Sequence, residues 1–200
     1  MTLDKINTLN IVLASNSPRR KALLENAGIR FRTVTGNNVD ETVPKHISHK
    51  EAAEYLSVKK NKAYRRLFDK NTVLITADTT VLLAGTILDK PKDDTEAEDM
   101  LNLISGNTHE VRTGVCISGF GQKYHFTERS VVEFAHLDIS DIQYYIRHYK
   151  PFDKAGAYGI QEWIGHIGIK KIEGSFDNIV GLPVFRVYQS LKDFAEMKHN

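Results

Sequence analysis

The first regular element is a short apolar run, Ile11-Val12-Leu13-Ala14, which reads as a buried strand. Ser17 and Pro18 follow as a helix N-cap with proline in the first helical position. Leu23, Leu24 and Ala27 give that helix an inward face, Gly28 ends it, and residues 31–34 predict a second strand. Three further helices are signalled by capping boxes, in which side chains satisfy otherwise orphaned amides: Ser48-x-x-Glu51, Thr95-x-x-Glu98 and Ser140-x-x-Gln143. The first predicts a charged helix over about 48–68, facing inward through Ala52, Leu56, Ala63 and Leu67. The second carries Ala97, Leu101 and Ile104 and stops at Ser105-Gly106; the third carries Ile142, Tyr145, Ile146 and Tyr149 and stops at Pro151.

Strand patterns fill the intervals at 72–83, 86–88, 110–118 and 130–134, with Gly85 as a turn and Gly119-Phe120-Gly121 as a hairpin tip. A last strand is predicted over 165–172, before a C-terminal helix over 182–194. Helices and strands mix without strict alternation, which favours a mixed-sheet α/β or α+β fold over a purely parallel one. With 200 residues, no internal repeat and no long linker, the chain predicts one domain or two closely packed lobes.

Composition narrows the function classes. Twenty-seven Lys and Arg against 25 Asp and Glu give a net charge of +2, too small for a general nucleic-acid or membrane coat. The single cysteine, Cys116, excludes an intramolecular disulfide and sits in an apolar run, Val115-Cys116-Ile117, as a buried strand residue would. No stretch approaches 18 apolar residues, and the opening Met-Thr-Leu-Asp-Lys-Ile-Asn lacks a signal-peptide core. The expectation is a soluble, cytoplasmic protein.

Three segments carry unusual chemistry. Ser15-Asn16-Ser17-Pro18-Arg19-Arg20-Lys21 places three cations in a first helical turn, where the helix dipole disfavours positive charge. Either an anion such as phosphate sits there, held by amides, hydroxyls and a guanidinium, or the cations point into solvent. Asp78 is the only charged residue between Asn71 and Leu88. A carboxylate in such a strand needs a partner, so it belongs to a functional site or caps a neighbouring loop. Asp153 to Gln161 sets two glycines between a cation and an amide, as a backbone closely approaching a ligand or a tight structural loop would. Asp40-Glu41, Lys62 and Lys90 have no individual claim, and His109 lacks metal-ligand spacing to another histidine.

Taken in order, these segments resemble the Maf-type nucleoside triphosphate pyrophosphatases. The resemblance rests on Leu13-Ala14-Ser15-Asn16-Ser17-Pro18-Arg19-Arg20, Val39-Asp40-Glu41-Thr42, Lys62-Ala63, Ala77-Asp78-Thr79 and Asp89-Lys90-Pro91. It continues through Ser105 to Val111, Asp153 to Gln161 and Val180-Gly181-Leu182-Pro183, covering about residues 11–192. Departures occur at Val58-Lys59, at Asn37-Asn38 and in Glu162-Trp163-Ile164-Gly165 after Gln161. The implied fold is inosine-triphosphatase-like α/β: an elongated mixed sheet with flanking helices, one Maf-type domain over 1–200 in two lobes around a cleft.

The resemblance also implies an activity, hydrolysis of a nucleoside triphosphate to the monophosphate and pyrophosphate. Asp78 would be the proton acceptor, and Ser15, Ser17, Arg19, Lys62 and Lys90 would bind phosphate. Glu41 and Asp78 would hold a divalent cation, Mg²⁺ or Mn²⁺. Arg19, Thr79 and Gln161 look like the dTTP/UTP branch rather than the 7-methyl-GTP branch. A homodimer acting on free nucleotides, with no nucleic-acid or membrane partner, is implied as well. The rival reading is a non-catalytic nucleotide-binding regulator of cell division, which has no need of Asp78. An RNA-binding module would need a basic face interleaved with aromatics, which the near-neutral charge opposes.

Overall fold

The computed structural model describes residues 1–36 and 39–199; Asn37-Asn38 lie outside the described residues. The elements in chain order are α1 (Thr2–Ile6), β1 (Asn10–Ala14), α2 (Pro18–Asn26), β2 (Arg32–Val34), α3 (Ala52–Arg65), β3 (Thr72–Leu83), β4 (Thr86–Leu88) and α4 (Asp94–Ile104). Then come β5 (Thr108–Gly119), β6 (Gln122–Phe134), α5 (Ile139–Tyr149), a 3₁₀ turn at Ala155–Ala157, α6 (Trp163–Gly168), β7 (Ile169–Glu173), α7 (Phe176–Val180) and α8 (Val184–His199). The sheet is mixed and seven-stranded, in the order β2-β1-β3-β5-β6-β7 with β4 beside β3. β1 runs parallel to β2 and β3, whereas β4 and β7 pair antiparallel with β3 and β6.

The chain forms two compact units, the first comprising Met1–Asp78, Thr113–Glu128 and Gly181–Asn200, the second Thr79–Arg112 and Arg129–Val180. β3, β5 and β6 each contribute residues to both. In the first unit, Ile11, Leu13, Val73 and Ile75 pack with Leu24, Val187, Leu191 and Phe194. Val12, Ala14 and Leu74 pack on the other face with Tyr64 of α3. Burial on both faces is why these strands read as continuous apolar runs. The second unit has its own core of Leu101, Ile104, Val132, Phe134, Ile142, Tyr145 and Ile164.

α2 begins as expected: the Ser17 hydroxyl accepts the Arg20 amide at 3.4 Å and Pro18 takes the first helical position. The other caps sit elsewhere. α4 starts two residues early, because Asp93 accepts the Glu96 amide at 2.9 Å, while Glu96 reaches back past the cap to accept the Lys92 amide at 2.8 Å. Glu51 reaches back to the Ser48 amide, but this closes a turn before α3, which begins at Ala52. Asp138 rather than Ser140 is the N-cap of α5. Leu67 lies beyond the end of α3 and is 58% exposed, not inward. The strand expected at 165–172 is helical up to Gly168, because the turn from Trp163 folds so tightly that a Cβ on Gly165 would meet the Ile160 carbonyl oxygen. Cys116 is fully buried, and desolvation pushes its thiol up to about 12.

Candidate active site

The site in the first unit starts with how α3 is set against the sheet. Asn61 donates to the carbonyls of Leu74 and Cys116, both at 3.3 Å, and accepts the Ser118 hydroxyl at 2.8 Å. One turn earlier the Thr76 hydroxyl donates to the Ser57 carbonyl at 2.8 Å; one turn later Arg65 donates to the carbonyls of Thr72 and Ser118 at 2.8 and 3.0 Å. Gly114 permits the close approach, since a Cβ there would lie 2.3 Å from the Ala53 backbone. Polar pairing between buried groups fixes rotation about the helix axis more sharply than apolar packing does.

That rotation presents Lys60 to β3. Its ammonium lies 2.5 Å from Asp78 Oδ1 and 2.9 Å from Glu41 Oε1, so one cation bridges the two carboxylates. Lys60 and Asp78 side chains are only 15% and 13% exposed, whereas Glu41 is 56% exposed. The neighbouring residue staples the same loop: Lys59 donates to Asp40 at 2.9 Å and to the Thr42 carbonyl at 3.3 Å. Hydrogen bonds from Thr42, then from Lys59, hold the Asp40 carboxyl below the usual carboxylate range.

Lys62, expected to bind phosphate, takes no part in this bridge. Two residues along a helix is a rotation of about 200°, and Lys62 is exposed on α3 while Lys60 points inward to Asp78. Arg20 is likewise structural, with its Nε donating to the Gly181 carbonyl at 2.8 Å and its Nη1 to the Ala77 carbonyl at 2.9 Å. Desolvation lowers its pKa, and the charge of Asp78 works in the opposite direction. The guanidinium therefore anchors the start of α2 to the residue preceding Asp78. Ser15 and Ser17 lie in that turn, with the Ser17 amide donating to the Ser15 hydroxyl at 3.1 Å, and Arg19 follows, partly buried.

In the second unit, Thr79 is partly buried on β3, Lys90 is exposed after β4, and the Asp89 carbonyl beside it accepts the Gly156 amide at 3.1 Å. Gln161 is exposed at the end of a buried segment, Gly156 to Ile160. His109 is fully packed, its Nε2 2.8 Å from the Tyr158 hydroxyl, and burial pushes it down to about 4. Lys60 and Arg20 were the residues not singled out from sequence. The apolar stripe Ala52, Leu56, Ala63 and Leu67, which lies nearer Lys60 than Lys62 about the helix axis, was the signal that would have found Lys60.

Among the described residues no three His, Cys, Asp or Glu side chains cluster as a complete metal cage. The donor set nevertheless fits Mg²⁺ or Mn²⁺, because such hard ions use one or two carboxylates and take their other ligands from water and phosphate. Glu41 and Asp78, already held by one cation, are the pair that would hold a second.

A family model described as Maf-like protein matches residues 10–194. The chain belongs to the Maf-like family. It is 48% identical over 196 residues to a dTTP/UTP pyrophosphatase of Porphyromonas gingivalis, covering 97% of this chain and 98% of that protein. A dTTP/UTP pyrophosphatase of Phocaeicola vulgatus is 46% identical over 190 residues, covering 95% of this chain and 98% of its own. A solved nucleoside-triphosphatase (dITP/XTP pyrophosphatase) from Mycobacterium abscessus aligns over 64% of this Maf-like chain and 74% of its own, with TM-score 0.41 and 14% identity, too loose a likeness to decide anything about the site. Among the described residues no helix is long and apolar enough to cross a membrane.

Proposed function

We propose that this Maf-like protein hydrolyses dTTP and UTP at the α–β phosphoanhydride, giving the nucleoside monophosphate and pyrophosphate. The observation that carries the reading is the Asp78–Lys60–Glu41 bridge, a partly buried carboxylate held against a cation in the middle of a strand otherwise apolar and hydroxyl-bearing. Asp78 takes a proton from the attacking water, the oxygen of that water bonds to the phosphorus, and the P–O bond to the leaving pyrophosphate breaks. Lys60 keeps the Asp78 carboxylate oriented and, with Arg19 and Lys90, offsets the negative charge that develops on the leaving group. Ser15 and Ser17 supply donors at the start of α2, where the helix dipole favours an anion. Glu41 and Asp78 would hold a divalent cation, which would supply Lewis-acid polarisation of the phosphates. Thr79, Arg19 and Gln161 select the pyrimidine. The protein works in the cytoplasm, as a homodimer, on free nucleotides.

The test is pyrophosphate release from a panel of nucleoside triphosphates with Mg²⁺ or Mn²⁺. Selective turnover of dTTP and UTP is expected, with Asp78→Asn lowering it about 10²–10⁴-fold, the usual scale for a lost general base. Turnover of 7-methyl-GTP or other purine nucleotides instead would overturn the base assignment. Nucleotide binding without turnover would overturn hydrolysis and leave a regulator.

A further inference from the structure

Gln161 ends a loop whose backbone is held by side chains rather than by regular structure. Lys154 opens the loop, is 8% exposed, and pairs with Asp153 at 2.8 Å and with Glu162 Oε1 at 3.1 Å. Tyr145 of α5, fully buried, donates its hydroxyl to Glu162 Oε2 and accepts the Gly159 amide at 3.0 Å on the same oxygen. The Glu162 amide donates to the Gly159 carbonyl at 3.0 Å, and a Cβ on Gly159 would lie 2.7 Å from the Glu162 carboxyl carbon. The Glu162 carboxylate thus ties the two ends of the loop together and to α5. Gln161, next to it in sequence, is exposed.

We propose that Glu162 is a positioning residue for base recognition: its contacts with Lys154 and Tyr145 hold the Gln161 backbone so that the amide meets the edge of the pyrimidine at a fixed distance and plane. The inference rests on the assignment of Gln161 to the base. A side-chain amide offers a donor and an acceptor together, matching the acceptor and N–H of a thymine or uracil edge. Cytosine presents the opposite pattern at the same two positions, but an amide free to rotate could satisfy either. The backbone does not govern the flip of the amide, but it fixes the distance and plane at which the amide meets the ring. A well-formed pair with the thymine edge is what separates dTTP from dCTP, so the clamp is a device for discrimination rather than for chemistry.

The experiment measures kcat and KM for dTTP and dCTP in the full-length protein and in Glu162→Ala, Tyr145→Phe and Gln161→Ala. Glu162→Ala is expected to lower the dTTP-to-dCTP ratio of kcat/KM about tenfold, mainly by raising KM for dTTP, with kcat little changed. Glu162→Gln still accepts the Tyr145 hydroxyl and leaves Lys154 paired to Asp153, and is expected between wild type and Glu162→Ala. Should Glu162→Ala not fold, Tyr145→Phe removes one oxygen and carries the same expectation. A folded variant with an unchanged ratio, or with both nucleotides impaired alike as a purely structural defect would do, overturns the clamp. If Gln161→Ala lowers the ratio and the Glu162 variants do not, the base assignment stands and the clamp fails. If Glu162→Ala lowers it and Gln161→Ala does not, the clamp stands and the base contact belongs to another residue of the loop.

Discussion

Replacing Lys60 by methionine, with Lys62→Met as its twin, separates two lysines that lie two residues apart. The Lys60–Asp78 contact joins side chains 15% and 13% exposed, so removing the cation leaves a mostly desolvated carboxylate without its partner. Breaking such a pair costs about 3–5 kcal/mol when fully buried, and the residual exposure puts this one at the low end, about 3 kcal/mol. The Glu41 arm adds little, because Glu41 is 56% exposed and water screens it. For a chain of this length, about 3 kcal/mol lowers the thermal midpoint by about 6–12 °C. Lys62→Met, on the exposed face, should stay within about 0.5 kcal/mol of wild type. Thermal melts with and without Mg²⁺ read both effects. Lys60 engages one oxygen of each carboxylate and repels a second cation beside it, so Mg²⁺ should raise the midpoint of Lys60→Met more than that of wild type. Pyrophosphate release should fall about 10²-fold in Lys60→Met, as for loss of one charge-stabilising group, and little in Lys62→Met. A Lys62→Met protein that loses turnover beside an unimpaired Lys60→Met would refute the reasoning from helix phase.

Arg20→Met removes a charged donor from the Ala77 and Gly181 carbonyls, which should cost about 3–5 kcal/mol in denaturant unfolding; Arg20→Lys should recover only part. Gly114→Ala forces a Cβ to 2.3 Å from the Ala53 backbone, where both sides are main chain. It should cost more than about 4 kcal/mol or leave no folded protein by circular dichroism. His109 is buried and held down to about 4 against an ordinary value of 6.5, so the unfolded chain binds a proton that the folded one refuses. Its contribution is complete above pH 6.5 and is lost as pH falls towards about 4, worth about 3 kcal/mol in all. His109→Gln should flatten that part of the stability profile, and an unchanged acid limb would refute the assignment.

Much of the fold was legible because local and tertiary preferences agree. β3 and β4 occupy the residues expected, 72–83 and 86–88, since β-branched and apolar runs bounded by Gly85 leave few alternatives. α2 follows from Ser17-Pro18 in the same way. Where the reading failed, tertiary packing overrode a local pattern. Gly165 and Gly168 argue against a helix, and Ile164, Ile167 and Ile169 do not settle strand or helix period. The chain nevertheless turns helical at Trp163, where Ile164 enters the second core. The five-residue helices α1 and α7 are too short for any periodicity to announce them.

The site shows the same division between residue type and residue phase. Asp78 stood out by identity alone, as one charge in an apolar and hydroxyl-bearing stretch, and the structure supplies the partner its burial demands. Lys62 was reached by matching the Lys-Ala pair of a motif, and motif matching has no knowledge of which way a helix faces. Phase does. Taking Lys60 as zero and about 100° per residue, the buried residues of α3 (Ala52, Ala53, Leu56, Ser57, Asn61 and Tyr64) form one arc about 90° either side of Lys60. Lys62 lies about 200° away, near the middle of the opposite face. The stripe Ala52, Leu56, Ala63 and Leu67, drawn from apolar residues alone, is centred about 50° from Lys60 and about 110° from Lys62, so even that coarse pattern favoured Lys60. A lysine on the buried arc of an amphipathic helix must meet an anion, and in this unit Asp78 lies opposite it on β3. The buried arc of α3, from Ala52 to Tyr64, therefore locates the face that meets Asp78 better than the motif does.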